Sequence, residues 1–409
     1  MVKIRQELPS QAVDDLECRI LHQISPLISC LKPCSSIALA VGSRGIPQIA
    51  RVVNVLVKYL VDNGHRPFIV PAMGSHGGAT AEGQTEILRG YGISEEQVGA
   101  PVRSSMEVVR LDGRDKEFAV YMDKLAYESD GVILVNRIKP HTDFHGMYES
   151  GLVKMSVVGL GKHAAALEIH RFGVFGLKQL LPQMAGIVLA SGKIIGGVAL
   201  LENAVGGLAD VVAMQTHEIL SKEPVLLERA RLLMPSLPLE EADVLIVDAL
   251  GKDISGTGMD PNIIGRIRIR GEEEPVSPVL KSIVVTDLSD ASHGNALGIG
   301  LADVITRRLY EKISFADMYE NAFTSTFLER VKVPLVAPND REALKYAVRS
   351  CGGKSVSDLK VMRIRDTLHL QDAYLSLNAL NEYEKKAGKV EILKRNETLF
   401  SEEGNLLPF

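Results

Sequence analysis

Short apolar runs, glycine-rich turns and helix-spaced apolar residues follow one another through the first third of the chain. Ser36–Val41 is an apolar run closed by Gly42-Ser43-Arg44-Gly45. Pro47 suits the first turn of a helix, where its missing N–H costs nothing. Ile49, Val52, Val53, Val55, Leu56, Leu60 and Val61 then recur at helical spacing, and Gly64 ends them. Phe68–Met73 repeats the apolar run, Gly74-Ser-His76-Gly77-Gly78 repeats the turn, and a second helix is expected over Thr80–Arg89. Residues 10–34 precede this unit as a helix, and Gly131–Val135 adds a third buried strand that leaves into the polar loop Asn136–His145. Strand, turn, helix, strand, turn, helix is a βαβα pattern and implies a parallel sheet.

A second α/β unit opens after Pro235-Ser-Leu-Pro238, with Ala242–Asp248 as its first strand. Further strands are expected at 282–286, 332–336 and 389–394, and helices near 294–310 and 339–350. The fold class is therefore α/β: two domains, 1–237 and 238–409, with mainly parallel sheets and an active site in the cleft between them. The extreme C-terminus is expected to pack back on the first domain. A chain of 409 residues is long enough for two such cores.

Composition narrows the function without deciding it. Lys and Arg number 46 against 51 Asp and Glu and are spread out, so nucleic acid is not an expected partner. No segment supplies the ~18–20 uninterrupted apolar residues of a membrane span. The N-terminus lacks the apolar core of a secretion signal, and the four cysteines form no Cys-x-x-Cys pair. These features predict a cytoplasmic protein with reduced cysteines, no membrane partner, a small-molecule substrate and scope for a homo-oligomer.

The candidate chemistry is concentrated. Of ten histidines, His141, His145, His163 and His170 lie within 30 residues, where even spreading would give fewer than one. Imidazole, with an ordinary pKa of about 6.5, exchanges protons in both directions near neutrality. His76 and Arg44 fall at neighbouring strand ends, where ligands of open parallel sheets gather. Arg44 could grip a carboxylate with its forked guanidinium, and the Gly74–Gly78 turn could cradle a phosphate on backbone N–H groups. Lys154 stands in Gly151-Leu-Val-Lys-Met-Ser-Val-Val-Gly-Leu-Gly161, nearly all small or apolar. Buried, its amine would lose pKa and become nucleophilic; alternatively, it faces water from an otherwise inward-facing segment. Two motifs fail on spacing. Gly159-Leu-Gly-Lys-His163 lacks the Gly-x4-Gly-Lys-Ser/Thr of a phosphate loop, and His141-Thr-Asp-Phe-His145 lacks the His-Glu-x-x-His of a zinc helix.

Together these positions resemble the nickel-pincer lactate racemase family, whose members racemise or epimerise 2-hydroxy acids. Lys154 and His170 are sixteen positions apart, as are the family's cofactor-bearing lysine and nickel-ligating histidine. Ser150-Gly-Leu-Val-Lys resembles its Ser-Gly-Gly-Arg-Lys, and Val158-Gly-Leu160 its Leu-Pro-Gly-Ile turn. Gly74-Ser-His76 and Ile138-Lys-Pro-His141 match the loops carrying the two catalytic histidines, and Ser43-Arg44-Gly-Ile-Pro47 matches the loop of the active-site arginine.

The resemblance implies a nickel-pincer nucleotide cofactor held through Lys154, with Ser43, Gly74, Gly77, Ser150 and Gly151 lining it and His170 on the metal. It implies His76 and His141 as acid/base pair and Arg44 on the substrate. The gap from His141 to Lys154 is about three residues longer than in the lactate enzyme, so His145 competes with His141. Gly-Gly follows His76 where the family has Arg-Pro. The chain thus resembles a divergent branch acting on an unspecified 2-hydroxy acid. A lyase or dehydratase of hydroxy or sugar acids, and a cofactor-binding protein without turnover, are the other two classes open.

Overall fold

The computed structural model describes residues 1–409 except Cys30, Arg44, 112–116, Lys389 and 396–398, with Thr324 described in its backbone only. The chain forms two compact units, Pro9–Met234 and Met1–Leu8 together with Pro235–Phe409. The expectation that 1–237 forms one unit thus fails at its first eight residues. Strand β1 (Val2–Arg5) buries Val2 and Ile4 and pairs antiparallel with two strands of the second unit. Four residues of alternation are too short a pattern to reveal which sheet they join.

In the Pro9–Met234 unit the main sheet holds β2 (Ser36–Val41), β3 (Arg66–Pro71), β6 (Gly131–Arg137), β7 (Ile194–Glu202) and β8 (Leu208–Gln215), in the order β3-β2-β6-β7-β8. The short strands β4 (Val108–Arg110) and β5 (Tyr121–Asp123) form a separate antiparallel ribbon. β3, β2, β6 and β7 run parallel, and β8 returns antiparallel. The apolar runs are continuous because both sheet faces are covered. Ala38 and Ala40 join a core with Leu152, Met155, Val157 and Ile169, whereas Ile37, Leu39 and Val41 join another with Ile20, Val52 and Leu56.

The helix predicted over 10–34 is confined to Leu16–Ile28, where the Asp15 side chain caps its start by accepting the Cys18 N–H at 3.0 Å. The helices Ile49–Asp62 and Ala81–Gly90 lie where the apolar spacing put them. A helical run over Gly173–Ala190 matches a membrane span in length and hydropathy. Its Leu177, Leu181, Met184, Ala185 and Val188 are buried in the first of the two cores, as in the core helix of a folded domain.

The second unit carries β9 (Glu241–Leu250), β10 (Val279–Leu288), β11 (Val304–Thr306), β12 (Leu335–Ala337), β13 (Val361–Ile364), β14 (Asp372–Leu375) and β15 (Glu391–Arg395). With β1 they form an eight-stranded sheet, β12-β11-β10-β9-β13-β14-β1-β15. It is parallel from β12 to β13 and antiparallel from there on. The C-terminal strand β15 thus meets the N-terminal strand β1, inside this unit. Of the helix expected over 294–310, only its end is α-helical, in Arg307–Glu311. Gly294 and Gly298, with φ of +83° and +94°, break the rest, and Val304-Ile-Thr306 is strand β11. Cys18, Cys34 and Cys351 are free thiols; Cys30 lies outside the described residues.

Candidate active site

Three loops leave the carboxyl ends of the adjacent parallel strands β3, β2 and β6, and they carry most of the residues singled out by sequence. After β2 come Gly42 and Ser43; after β3, Gly74 to Gly78; after β6, the loop to Ser150. Arg44 lies outside the described residues. Asn136, at the end of β6, donates from Nδ2 to the Gly151 carbonyl at 3.2 Å. Its Oδ1 fills the space where a side chain on Gly42 would stand, 2.5 Å from an added Cβ. The strand end is thus tied directly to the start of the Lys154 turn.

His76 is half-buried, and its Nδ1 lies 2.6 Å from Ser43 Oγ on the neighbouring strand's loop. Gly74 and Gly77 hold φ of +63° and +65°. A Cβ on Gly77 would come within 2.5 Å of the Gly83 backbone, so only glycine fits there. The Gly74 N–H goes to the Gly159 carbonyl at 3.2 Å, and the His76 N–H to the Met73 carbonyl at 3.2 Å. Those two N–H groups are therefore spent inside the loop rather than offered as a phosphate cradle, and the Thr80 side chain caps the helix that follows.

The loop after β6 is closed at its base by an antiparallel bridge between Lys139 and Ser150. Inside it sits Glu149, whose side chain is fully buried. It accepts the His141 N–H at 2.5 Å, the Gly146 N–H at 3.1 Å and Arg231 Nη2 at 2.5 Å, and faces His145 Nδ1 at 3.3 Å. Burial pushes this carboxyl toward the neutral form, but the bonds from His145 and the His141 N–H and the charge of Arg231 outweigh it and hold its pKa below the ordinary range. His145 is therefore turned toward Glu149. His141 is turned the other way: its Nδ1 accepts the Asp143 N–H at 3.0 Å, and its Nε2 lies 2.5 Å from Lys154 Nζ.

Lys154 ends the short helix Leu152–Lys154, which passes at once into a π-helical turn, Met155–Gly159. Such turns recur at functional sites because the widened backbone re-aims side chains. Beneath the helix lies Glu223, fully buried, accepting the Val153 N–H at 2.9 Å. Burial lifts its carboxyl to about 7, with the N–H groups of Val153 and Leu152 opposing. Glycine at 151 is what admits it, since a Cβ there would fall 2.5 Å from the Glu223 carboxyl carbon. His170 closes the group. Its ring keeps solvent access yet is crowded by protein, and that desolvation, followed by the charge of Lys154, lowers its pKa against the pull of Asp143. A neutral imidazole, the form that ligates metals, is favoured.

Of the residues singled out by sequence, the structure sets Ser43 against His76 and His141 against Lys154, with Gly151 at the start of the Lys154 turn and His170 within reach of the Lys154 charge. Sequence reasoning left His145 undecided, and His163 is exposed on the helix Lys162–His170. It missed Glu149 and Glu223. Their partners lie up to 82 and 70 residues away, so no local spacing announces them.

Residues 19–179 match the family model of the lactate racemase N-terminal domain, a span that contains every one of these histidines and Lys154. This segment is similar to the N-terminal domain of lactate racemases. Among solved structures, the lactate racemase apoprotein from Thermoanaerobacterium thermosaccharolyticum is 11% identical, with 95% of this chain and 96% of that one covered at a TM-score of 0.46. No curated protein matches the chain. Within that span the loops that follow β2, β3 and β6 carry Ser43, His76 and His141, and Lys154 and His170 lie on the helical segments that come after them.

Proposed function

We propose that the chain is a racemase or epimerase of a 2-hydroxy acid, working by hydride abstraction and return through a 2-oxo acid with a nickel-pincer nucleotide. The observation that carries this reading is the pairing of Lys154 Nζ with His141 Nε2 at 2.5 Å, with His170 within electrostatic reach of the same amine. The donor set fits such a group. Among the described residues no cluster of three His, Cys, Asp or Glu side chains could hold a metal ion, so a metal beside His170 needs donors supplied by its own organic ligand. Lys154 would anchor that ligand, His170 would complete the metal's coordination, and Ser43, Gly74, Gly77, Ser150 and Gly151 would line it. When bound, the group supplies the hydride acceptor that no side chain can provide.

The chain's own residues supply the proton chemistry. Inversion through a ketone needs one base for each enantiomer's hydroxyl proton. His141 and His76 stand on different loops and each has Nδ1 engaged, by the Asp143 N–H and by Ser43 Oγ respectively. Proton exchange would therefore run through Nε2 in both. Arg44 would hold the substrate carboxylate. His145, committed to Glu149, would position its loop rather than act as the second base.

The test is intact mass and metal analysis of protein made together with the cofactor pathway, followed by a screen of 2-hydroxy acids deuterated at C2. The parent should carry a covalent mass gain, and the label should be retained in the inverted product. Lys154→Ala should lose both the mass gain and the turnover. Racemisation by Lys154→Ala at the parental rate would overturn the assignment. Accumulation of a 2-oxo or dehydrated product would point instead to a lyase or dehydratase.

A further inference from the structure

Lys162, in the segment Gly159-Leu-Gly-Lys that imitates a phosphate loop, is wholly buried and holds a left-handed backbone at φ +54°. A non-glycine residue adopts that conformation at a cost in strain, which persists only where the surroundings fix it. Its ammonium meets three acceptors: the Pro71 carbonyl at 2.5 Å, Asp123 Oδ2 at 3.1 Å and Gln84 Oε1 at 3.2 Å. Gln84 is itself fully buried. With its oxygen claimed by the ammonium, its Nε2 donates to the Gly74 carbonyl at 2.8 Å and the His76 carbonyl at 3.3 Å. A flipped amide would set NH2 against the ammonium and an oxygen against two carbonyls, so only one orientation is tolerable.

We propose that Lys162 and Gln84 are positioning residues for His76: the buried ammonium fixes the Gln84 amide, and the amide fixes the two carbonyls that bracket the turn from which the His76 ring reaches Ser43. The importance of this for turnover rests on the reading of His76 as an acid/base; the placement itself does not. From Pro71, the last residue of β3, to His76, three carbonyls are tied to one ammonium–amide pair. The Gly159 carbonyl adds a fourth tie by accepting the Gly74 N–H. The loop is thus anchored from the segment that follows Lys154, and the two halves of the site are kept in mutual register within this unit.

The experiment records the ring-nitrogen shifts of His76 in the full chain, assigned by their loss in His76→Asn. Gln84→Glu keeps the acceptor for Lys162 but replaces the donor that faces the two carbonyls. Asp123→Asn with Lys162→Met removes both charges of the buried pair and retains a helix-capping side chain at 123. Leu88→Ala, a buried truncation on the same helix, is the control for lost stability alone. The parent should show one ring tautomer, set by Ser43. Gln84→Glu and the double variant should show the mixed tautomers of a free imidazole, and kcat about tenfold lower with KM nearly unchanged. Leu88→Ala should keep the parental shifts. Parental shifts in Gln84→Glu, or an equal disturbance in Leu88→Ala, would overturn the proposal. Should Gln84→Glu fail to fold, the double variant decides in the same way. Disturbed shifts in a chain whose parent turns over no hydroxy acid would sink the racemase reading and leave the positioning intact.

Discussion

Lys154 Nζ and His141 Nε2 are held 2.5 Å apart by two different buried carboxyl groups, Glu223 under the lysine's turn and Glu149 under the histidine's loop. Neither carboxyl touches the pair. Each accepts backbone N–H groups beside it, so the placement of both side chains is set by the main chain. Rigid main-chain support of this kind is what keeps reacting groups within the few tenths of an ångström that proton transfer requires.

The two candidate second bases separate cleanly by mutation. His141→Gln removes the imidazole that faces Lys154 and is expected to lower kcat by roughly 10²–10⁴ in at least one direction, the usual worth of a general acid or base. His145→Gln removes only a partner of Glu149, which keeps Arg231 and two N–H groups, and should leave kcat within about threefold. Initial rates from each enantiomer of the substrate read both effects. A larger loss at His145 than at His141 would reverse the assignment.

Much of this was legible in the chain before any coordinates. Parallel strands buried on both faces write themselves as continuous apolar runs, and β2, β3 and β6 are legible in that way. The residues at their carboxyl ends followed from topology. The separation of Lys154 and His170 is local, so it also survives in the sequence. What the sequence hid was long-range or cryptic. Glu149, Glu223, Gln84 and Lys162 look like ordinary polar residues until the fold buries them against partners far along the chain. β1 is hidden because a four-residue strand carries no information about its partner sheet, and β11 because three β-branched residues leading straight into the helix Arg307–Glu311 fit a helix pattern equally well.

Adjacent glycines give a contrast in the His76 loop. Gly77 and Gly78 have φ of +65° and +64°, but an added Cβ would meet the Gly83 backbone at 2.5 Å from Gly77 and nothing within 4 Å from Gly78. Gly78→Ala should cost only the left-handed backbone term, about 1 kcal/mol. Gly77→Ala adds a clash with main chain that cannot move aside, and should cost at least about 3 kcal/mol or displace His76. Denaturant melts of the two variants check this, and equal losses would contradict the geometry.

Glu149→Ala strips acceptors from the His141 and Gly146 N–H groups and from Arg231 at once. Leaving one side of a buried charge pair unmatched typically costs about 3 kcal/mol, less here because Arg231 is partly exposed. Since the Glu149 carboxyl is held below its ordinary pKa in the fold, its contribution is present above the unfolded value of 4.5 and is lost as pH falls through the lower, folded one. The difference in stability between parent and Glu149→Ala should therefore shrink in acid. A difference that stays constant from neutral pH down to about pH 3 would show that the carboxylate charge is not what anchors the loop.

Glu223 carries the opposite sign. Its carboxyl is raised from 4.5 to about 7, chiefly by burial, so the folded chain holds a proton that the unfolded chain releases. The associated stability is complete below pH 4.5, falls as pH rises through the interval up to about 7, and is then gone. The shift corresponds to a loss on the order of 3 kcal/mol across that window. Glu223→Gln keeps an acceptor for the Val153 N–H but cannot ionise. Its stability should change less than the parent's between pH 5 and pH 8, and above neutrality it should equal or exceed the parent. Thermal melts of both proteins across that range measure the slope. The same charge would appear beneath the Lys154 turn in the parent alone, so any rise in Lys154 reactivity toward an acylating reagent near pH 7 should lose its Glu223-dependent step in the variant. Parallel stability curves for Glu223→Gln and the parent would mean that Glu223 does not titrate there, and that its buried oxygen is satisfied by other means.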